Sequence, residues 1–182
     1  MKKTIFVSLI AILIAAIVIP TFAYMETTAI NQADDDTMWL DSMTAESTNV
    51  DIHYGTAPDG TAINIGDNQK FDHGISMHPP MEGPAEAEFN IEGLGYRTFI
   101  ALGGKDLYSA AAVGVEGITG THVGLEVWVD GVKKAESGNI PYPETYLIKV
   151  DITGAKKLKL VATDGGDGIY CDTTSFAGAR LF

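Results

Sequence analysis

The residues with the clearest chemical potential stand in one glycine-rich segment, 164–172, near the C-terminus. It reads Asp-Gly-Gly-Asp-Gly-Ile-Tyr-Cys-Asp, and it contains the carboxylates of Asp164, Asp167 and Asp172. Carboxylate oxygens, supplemented by backbone carbonyls that glycine leaves accessible, are the ligands that a hard cation such as Ca²⁺ prefers. The alternative is a turn in which aspartates accept hydrogen bonds from backbone amides. The segment therefore predicts either a structural calcium site with Asp164, Asp167 and Asp172 as ligands, or a turn at the edge of a domain.

Tryptophan and histidine side chains form a second set of candidates, which suit a sugar. A sugar site needs an aromatic surface for the apolar face of the ring and fixed polar groups for its hydroxyls. Trp128 alternates with apolar residues and should face away from the core, and Trp39 stands at the predicted first strand. His78 precedes two prolines, so it should end a strand, where its ring can hydrogen-bond a sugar hydroxyl or Asp172. The candidate sugar-binding residues are Trp39, His78, Trp128 and Asp172, and packing within the fold is the alternative for both tryptophans.

Catalysis has little support in the sequence. A glycosidase needs two carboxylates on opposite sides of the bond it cleaves, one with a raised pKa, and aspartates in a glycine-rich, hydrated loop should stay ionised. The other histidines, His53, His73 and His122, lack the spacing of a zinc site. The sequence also has no nucleophile or phosphate-loop signature. We therefore predict that the protein is not an enzyme.

The first 23 residues have the composition of a secretory signal peptide. Lys2 and Lys3 precede an apolar stretch over 5–19, and Pro20 to Ala23 then supply a helix breaker and small residues. The alternative is an N-terminal membrane anchor, because 4–23 is long enough to span a bilayer. Either interpretation predicts an extracytoplasmic protein, secreted or attached to the cell envelope, with membrane insertion only if 4–23 is retained.

Charge narrows the choice of partners. The whole chain has a formal net charge of −12, and without the two lysines of the signal peptide it would be −14. The electrostatic repulsion from this negative charge opposes binding to nucleic acid and to anionic membranes. The single cysteine, Cys171, excludes an intramolecular disulfide, so core packing or a bound ion must hold the fold together. We expect a monomer.

The rest of the chain divides into a linker and a β-domain. Residues 24–37 are polar and lack periodicity, which predicts a spacer. From Trp39 onward, apolar and polar residues alternate with a period of two, as in Ala87–Ile91 and Leu125–Asp130, which predicts half-buried strands. Tyr96–Leu102 is apolar on both faces and suits a central strand, while Asp130-Gly131 predicts a tight hairpin. Short strands separated by glycines indicate an all-β fold, an antiparallel β-sandwich.

Six segments, taken in order, carry a resemblance to a known family. They are Trp39–Ser42, Phe71–His78, Tyr96–Phe99, Val127–Gly131, Val150–Ala155 and Asp164–Asp172. Together they resemble the NPCBM domain, a novel putative carbohydrate-binding module found beside catalytic domains of secreted bacterial glycoside hydrolases. The resemblance covers residues 38–182 and implies a galactose-binding-like β-sandwich of jelly-roll type.

The resemblance also implies a function. It suggests a non-catalytic, lectin-like module for carbohydrate, with galactose-type glycans as the expected ligands, and it gives His78 a matching family position. The sequence departs from the family after Asp172, where Thr173 replaces the usual histidine and Phe176 the usual tryptophan. A structural or adhesive envelope domain that binds another protein through its rim loops or a sheet face is the alternative function.

Overall fold

The protein is described here by a computed structural model that covers residues 36–182. The predicted signal peptide, 1–23, lies outside the described residues, as does nearly all of the predicted linker, 24–37. Within 36–182, no helix is long and apolar enough to cross a membrane.

The described residues form thirteen strands, one short α-helix and two 3-10 turns, Leu40–Ser42 and Leu107–Ser109. The strands are β1 (Met38–Trp39), β2 (Ser47–Thr48), β3 (Ile52–Tyr54), β4 (Ile63–Ile65), β5 (Gln69–Phe71), β6 (Gly74–Met77), β7 (Ala85–Asn90), β8 (Thr98–Lys105), β9 (His122–Val129), β10 (Val132–Pro141), β11 (Thr145–Asp151), β12 (Lys157–Thr163) and β13 (Thr174–Leu181). The helix α1 (Ala110–Ile118) is interrupted at Gly114, whose φ is +74°.

The strands pack as two antiparallel sheets. The first sheet has the order β11-β8-β13-β6-β3, with β1 beside β13, and the second has the order β10-β9-β12-β7-β2. Strands that are distant in the chain are neighbours in each sheet, so the connections cross between the two layers, as they do in jelly rolls. The predicted antiparallel β-sandwich is confirmed.

Alternation along the strands explains the core between the sheets. In β9, Val123, Leu125, Val127 and Val129 are buried, while Glu126 and Trp128 between them are only partly buried. The strand β8 is apolar on both faces because both are covered. Its inward side chains face the core between the sheets, and its outward Leu102 packs under the small hairpin β4–β5. That hairpin adds a separate cluster of Ile63, Ile65, Phe71, Leu102 and Ala177 outside the first sheet. The prediction of a central strand in this region is thereby confirmed.

The hairpin between β9 and β10 has the predicted turn. Asp130 and Gly131 have φ values of +49° and +79°, and Val129 pairs with Val132 across them. Two consecutive positive φ values match the twist of the flanking strands, and aspartate and glycine tolerate them at little cost. The sequence signal and the observed turn agree.

The ends of the sandwich form two rims. Thr174 pairs with both Met77 and Lys105, so the loops 78–84 and 164–173 meet at one end with the segment 106–121, which contains α1. We call this end the His78 rim. At the other end, Leu181 pairs with Phe99. There the loops 91–97 and 152–156 meet beside Phe182, and we call this end the Tyr96 rim.

Candidate functional site

The loop 164–173 of the His78 rim has its first anchor at the beginning of β9. The carboxylate Oδ2 of Asp167 accepts a hydrogen bond from the backbone N–H of His122 at 3.0 Å and lies 2.8 Å from His122 Nδ1. Gly165 brings the loop backbone directly onto His122: its φ is +61°, and a Cβ at this position would lie 2.6 Å from the Cβ of His122. Any larger residue at 165 would be strained and would also clash.

A buried ion pair makes the second anchor. Lys105 Nζ lies 2.9 Å from Asp172 Oδ1, and both side chains have 0% exposure. The same ammonium donates to the hydroxyl of Thr121. Lys105 continues the inward row of β8, Thr121 precedes β9, and Asp172 precedes β13, so one cation joins both sheets to the loop. The other carboxylate oxygen, Asp172 Oδ2, is buried and receives no hydrogen bond from the described residues.

The environment of Asp172 changes its acidity. Burial raises the pKa of Asp172 to about 6, while the hydrogen bond and the positive charge of Lys105 act in the opposite direction. The charge of Asp167 also raises this pKa, and the charge of His78, where its ring is protonated, lowers it. All of these groups therefore lie within electrostatic reach of one another at the same rim. Asp172 is ionised at neutral pH and takes up a proton in mildly acidic solution.

The three aspartates predicted as calcium ligands have three separate partners. Asp164 Oδ1 accepts from the backbone N–H of Gly166 at 3.0 Å, as the turn interpretation predicts. Asp167 contacts His122, and Asp172 contacts Lys105. Within 36–182 no group of three His, Cys, Asp or Glu side chains could hold a metal ion. The three carboxylates share no site in this arrangement, so calcium binding stays a prediction that the sequence alone supports.

His78 lies where the sequence placed it, at the end of β6. Its ring is half-buried, and Nδ1 is 2.8 Å from the carbonyl oxygen of Pro79. Because a carbonyl can only accept, Nδ1 carries the proton, and Nε2 of the neutral ring is an acceptor. His78 and Asp172 are therefore on one rim, but the hydrogen bond between them that the sequence offered as an alternative is not formed, because Asp172 is fully buried on Lys105 and its Oδ2 has no partner among the described residues.

The two tryptophans lie elsewhere. Trp128 is on the outer face of the second sheet, where its indole N–H donates to Glu126 at 2.6 Å. The Nζ atoms of Lys159 and Lys133 lie 5.1 and 5.9 Å from its ring centroid. Trp39 pairs in register with Arg180, near the Tyr96 end of β13. Its ring stacks on His73 at 4.2 Å, with the Arg180 guanidinium 5.5 Å from its centroid. Neither tryptophan joins His78 and Asp172.

Sequence reasoning missed the exposed side chains of the His78 rim. Tyr170 is 63% exposed, and Met81 and Tyr108 are 88% and 36% exposed on neighbouring loops. The signal for Tyr170 was present, since its neighbours at a spacing of two, Gly168 and Asp172, are not apolar and no strand pattern buries it. By contrast Phe176, at the position of the family tryptophan, has 0% exposure and belongs to the core.

The Tyr96 rim holds two depressions of a different kind. One, of about 210 Å³, is lined by 91–96, Ile152 and 154–156. The other, of about 490 Å³, is lined by Asp36, 94–97 and Phe182. None of the predicted site residues lines either depression.

Comparison with known families and structures identifies the domain. The sequence profile of the NPCBM/NEW2 domain matches residues 32–182. The chain belongs to the NPCBM/NEW2 domain family. The predicted resemblance over 38–182 is thus confirmed, and this NPCBM domain has the fold of carbohydrate-binding modules. Comparison with curated proteins gives no match.

Solved structures similar to this NPCBM domain are modules of the CBM51 type. A CBM51 from a Clostridium perfringens GH95 protein, in complex with methyl-galactose, is 30% identical with a TM-score of 0.68, and the match covers 80% of this chain and 99% of that one. A C. perfringens ZmpB structure with an M60 catalytic domain and two CBM51 domains is 25% identical with a TM-score of 0.67. That match covers 80% of this chain but 15% of the other. Tandem CBM51 modules of a Streptococcus pneumoniae family 98 glycoside hydrolase are 21% identical with a TM-score of 0.65. That match covers 80% of this chain and 46% of the other, and it supports the fold alone.

Proposed function

We propose that this NPCBM domain binds carbohydrate without catalysis, at its His78 rim, and that galactose-type glycans are its ligands. The observation that carries the proposal is the similarity to the CBM51 structure solved with methyl-galactose. That similarity has 30% identity and extends over 99% of the other chain, so it concerns the whole module.

The chemistry of the His78 rim supports this location. Nε2 of neutral His78 can accept a hydrogen bond from a sugar hydroxyl, because Nδ1 is held by the Pro79 carbonyl. Beside it, the loop 164–173 is fixed at both ends, by Asp167 on His122 and by Asp172 on Lys105. A fixed loop favours binding, since fewer side chains and backbone torsions lose freedom when the sugar arrives.

Two features of the rim favour binding over hydrolysis. Cleavage of a glycosidic bond requires two carboxylates that flank the bond. Asp172 is fully buried in its pair with Lys105, so a sugar does not reach it. Asp167 is engaged by two nitrogens of His122. The proposed domain therefore retains its ligand and leaves it chemically unchanged.

The proposed setting is extracytoplasmic. Glycans of the galactose type are displayed outside cells, and residues 1–23 have the composition of a secretory signal. We propose that the domain acts as a secreted or surface-attached module.

The experiment is a glycan array probed with the full chain, followed by calorimetric titration of methyl-galactoside and methyl-glucoside. We expect the galactoside to bind more tightly, and His78→Ala to weaken it about tenfold, because one hydrogen bond to the ligand is lost. His73→Ala, a histidine at the other end of the sandwich, is the matched control and should bind as the wild type does. If the wild type binds none of the glycans on the array, the proposal is rejected and a structural or adhesive role is favoured.

A further inference from the structure

The proposed sugar site lacks an assigned aromatic surface. Trp39 and Trp128, the aromatic candidates from the sequence, stack with other side chains away from the His78 rim. Phe176 is in the core. An aromatic ring that serves a sugar at this rim must come from an exposed position on one of its loops, and among the described residues of the rim Tyr170 has the most exposed aromatic side chain, at 63%.

The loop presents Tyr170 in a defined place. Three residues before it, Asp167 binds His122 with contacts of 2.8 and 3.0 Å. Two residues after it, Asp172 binds Lys105 at 2.9 Å in a fully buried pair. Between Tyr170 and Asp172 the chain turns at Cys171, which has a φ of +61°. The exposed ring is thus carried by a short segment that is held on both sides.

We infer that Tyr170 is the platform on which the sugar ring stacks, and that the contacts of Asp167 and Asp172 present it. This inference rests on the proposed carbohydrate-binding function and adds a ligand-contacting residue to it. Exposed aromatic side chains supply much contact area to a ligand with few torsions to restrict. The contacts that hold the loop reduce the conformational entropy lost on binding further.

The chemistry of the platform selects a class of sugar. In a galacto-configured pyranose the axial hydroxyl at C4 leaves the C–H groups of C3, C4 and C5 together on one face, with C6 beside them. That apolar face matches the face of a phenol ring. In the gluco configuration the hydroxyl at C4 is equatorial, so the C–H groups of C3, C4 and C5 are divided between the two faces of the ring. We therefore expect Tyr170 to contribute more to galactoside binding than to glucoside binding.

The test is a pair of variants titrated with methyl-galactoside. Tyr170→Ala should weaken binding at least about tenfold, because the stacking area is lost. Tyr170→Phe keeps the ring and should stay within about threefold of the wild type. Phe182→Ala is the matched control, since Phe182 is an exposed aromatic residue at the Tyr96 rim with 43% exposure, and it should leave the affinity unchanged.

A second readout separates contact from structural support. With ring-labelled tyrosine, the Tyr170 resonances should shift on titration with methyl-galactoside and saturate at the dissociation constant measured by calorimetry. A wild type that binds while Tyr170→Ala binds equally well, or whose Tyr170 resonances do not move, overturns this inference and leaves the proposed function intact. A wild type that binds no glycan overturns both. If Tyr170→Ala lowers the melting temperature, the Phe variant and the ring resonances decide.

Discussion

The two rims of the sandwich differ in what holds their loops. At the His78 rim, side chains do so: Lys105 pairs with Asp172 out of contact with water, and His122 holds Asp167. At the Tyr96 rim, backbone hydrogen bonds and exposed side chains do so, such as Ile152 N–H to the Arg97 carbonyl at 2.8 Å and Lys156 N–H to Asp130 Oδ1 at 2.9 Å. The Tyr96 rim has two depressions, whereas the His78 rim has the buried ion pair and the exposed Tyr170. The buried ion pair and the exposed tyrosine are thus at the end of the domain opposite to these two depressions, and we propose that the function lies with them.

The largest expected effect concerns the buried cation of the His78 rim. Lys105→Met should lower the free energy of unfolding by about 3 to 5 kcal/mol at pH 8, because it leaves the ionised Asp172 buried without a partner. Urea denaturation of the two proteins measures the difference.

The Tyr96 rim supplies the matched control for this variant. Lys156 pairs with Glu92 at 2.8 Å, but both side chains are more than half exposed. Lys156→Met should leave the urea midpoint almost unchanged, since exposed pairs contribute little. Equal losses from the two lysine variants would show that the rims do not differ in the way described.

The next effect is a pH dependence that belongs to the His78 rim. Because burial raises the pKa of Asp172 from 3.8 to about 6, the folded protein holds this proton more tightly than the unfolded chain does. The stability contributed by this group is present below pH 4 and is lost as the pH rises through 6. At about 1.4 kcal/mol per pH unit, the loss over this window is at most about 3 kcal/mol.

Asp172→Asn isolates that contribution. Asparagine resembles the protonated carboxyl, so the variant should be about as stable as the wild type at pH 4 and more stable than it at pH 7, by up to about 3 kcal/mol. Chemical denaturation at several pH values gives the two curves. Burial also raises the pKa of Asp106, which remains in both proteins, so its contribution cancels in the difference. A difference that is constant with pH would contradict the assignment.

The smallest expected effect is that of calcium. Asp164, Asp167 and Asp172 each have a partner of their own, so millimolar Ca²⁺ should leave the melting temperature unchanged, and a chelator should do the same. Thermal scans with and without the ion measure this. A clear rise in melting temperature that Asp167→Ala abolishes would establish the calcium site that the sequence suggested.

Much of the fold followed from local patterns in the sequence. Alternation predicted β9 and its inward valines, and Asp130-Gly131 predicted the hairpin, because the period of two and the positive φ are local requirements. The resemblance to the NPCBM family could also be recognised from the sequence, because the family's motifs occur in the expected order.

The partners of the site residues could not be read in the same way. Lys105 and Asp172 are 67 residues apart, and His122 and Asp167 are 45 apart, so only the assembled sheets bring them together. Spacing along the chain suggested one calcium ion for three aspartates, whereas the fold gives each a different partner. The exposure of Tyr170 and the burial of Phe176 likewise depend on contacts between distant parts of the chain. The loop 164–173 is held by side chains from other strands, and β13 lies inside its sheet.

The most direct test of the account is a map of backbone amide shifts in ¹⁵N-labelled protein during titration with methyl-galactoside. We predict that the shifts concentrate in the loops 78–84 and 164–173 of the His78 rim, with Tyr170 among the largest. Shifts that concentrate in 91–97 and 152–156 would place the ligand in the depressions of the Tyr96 rim and contradict the central claim.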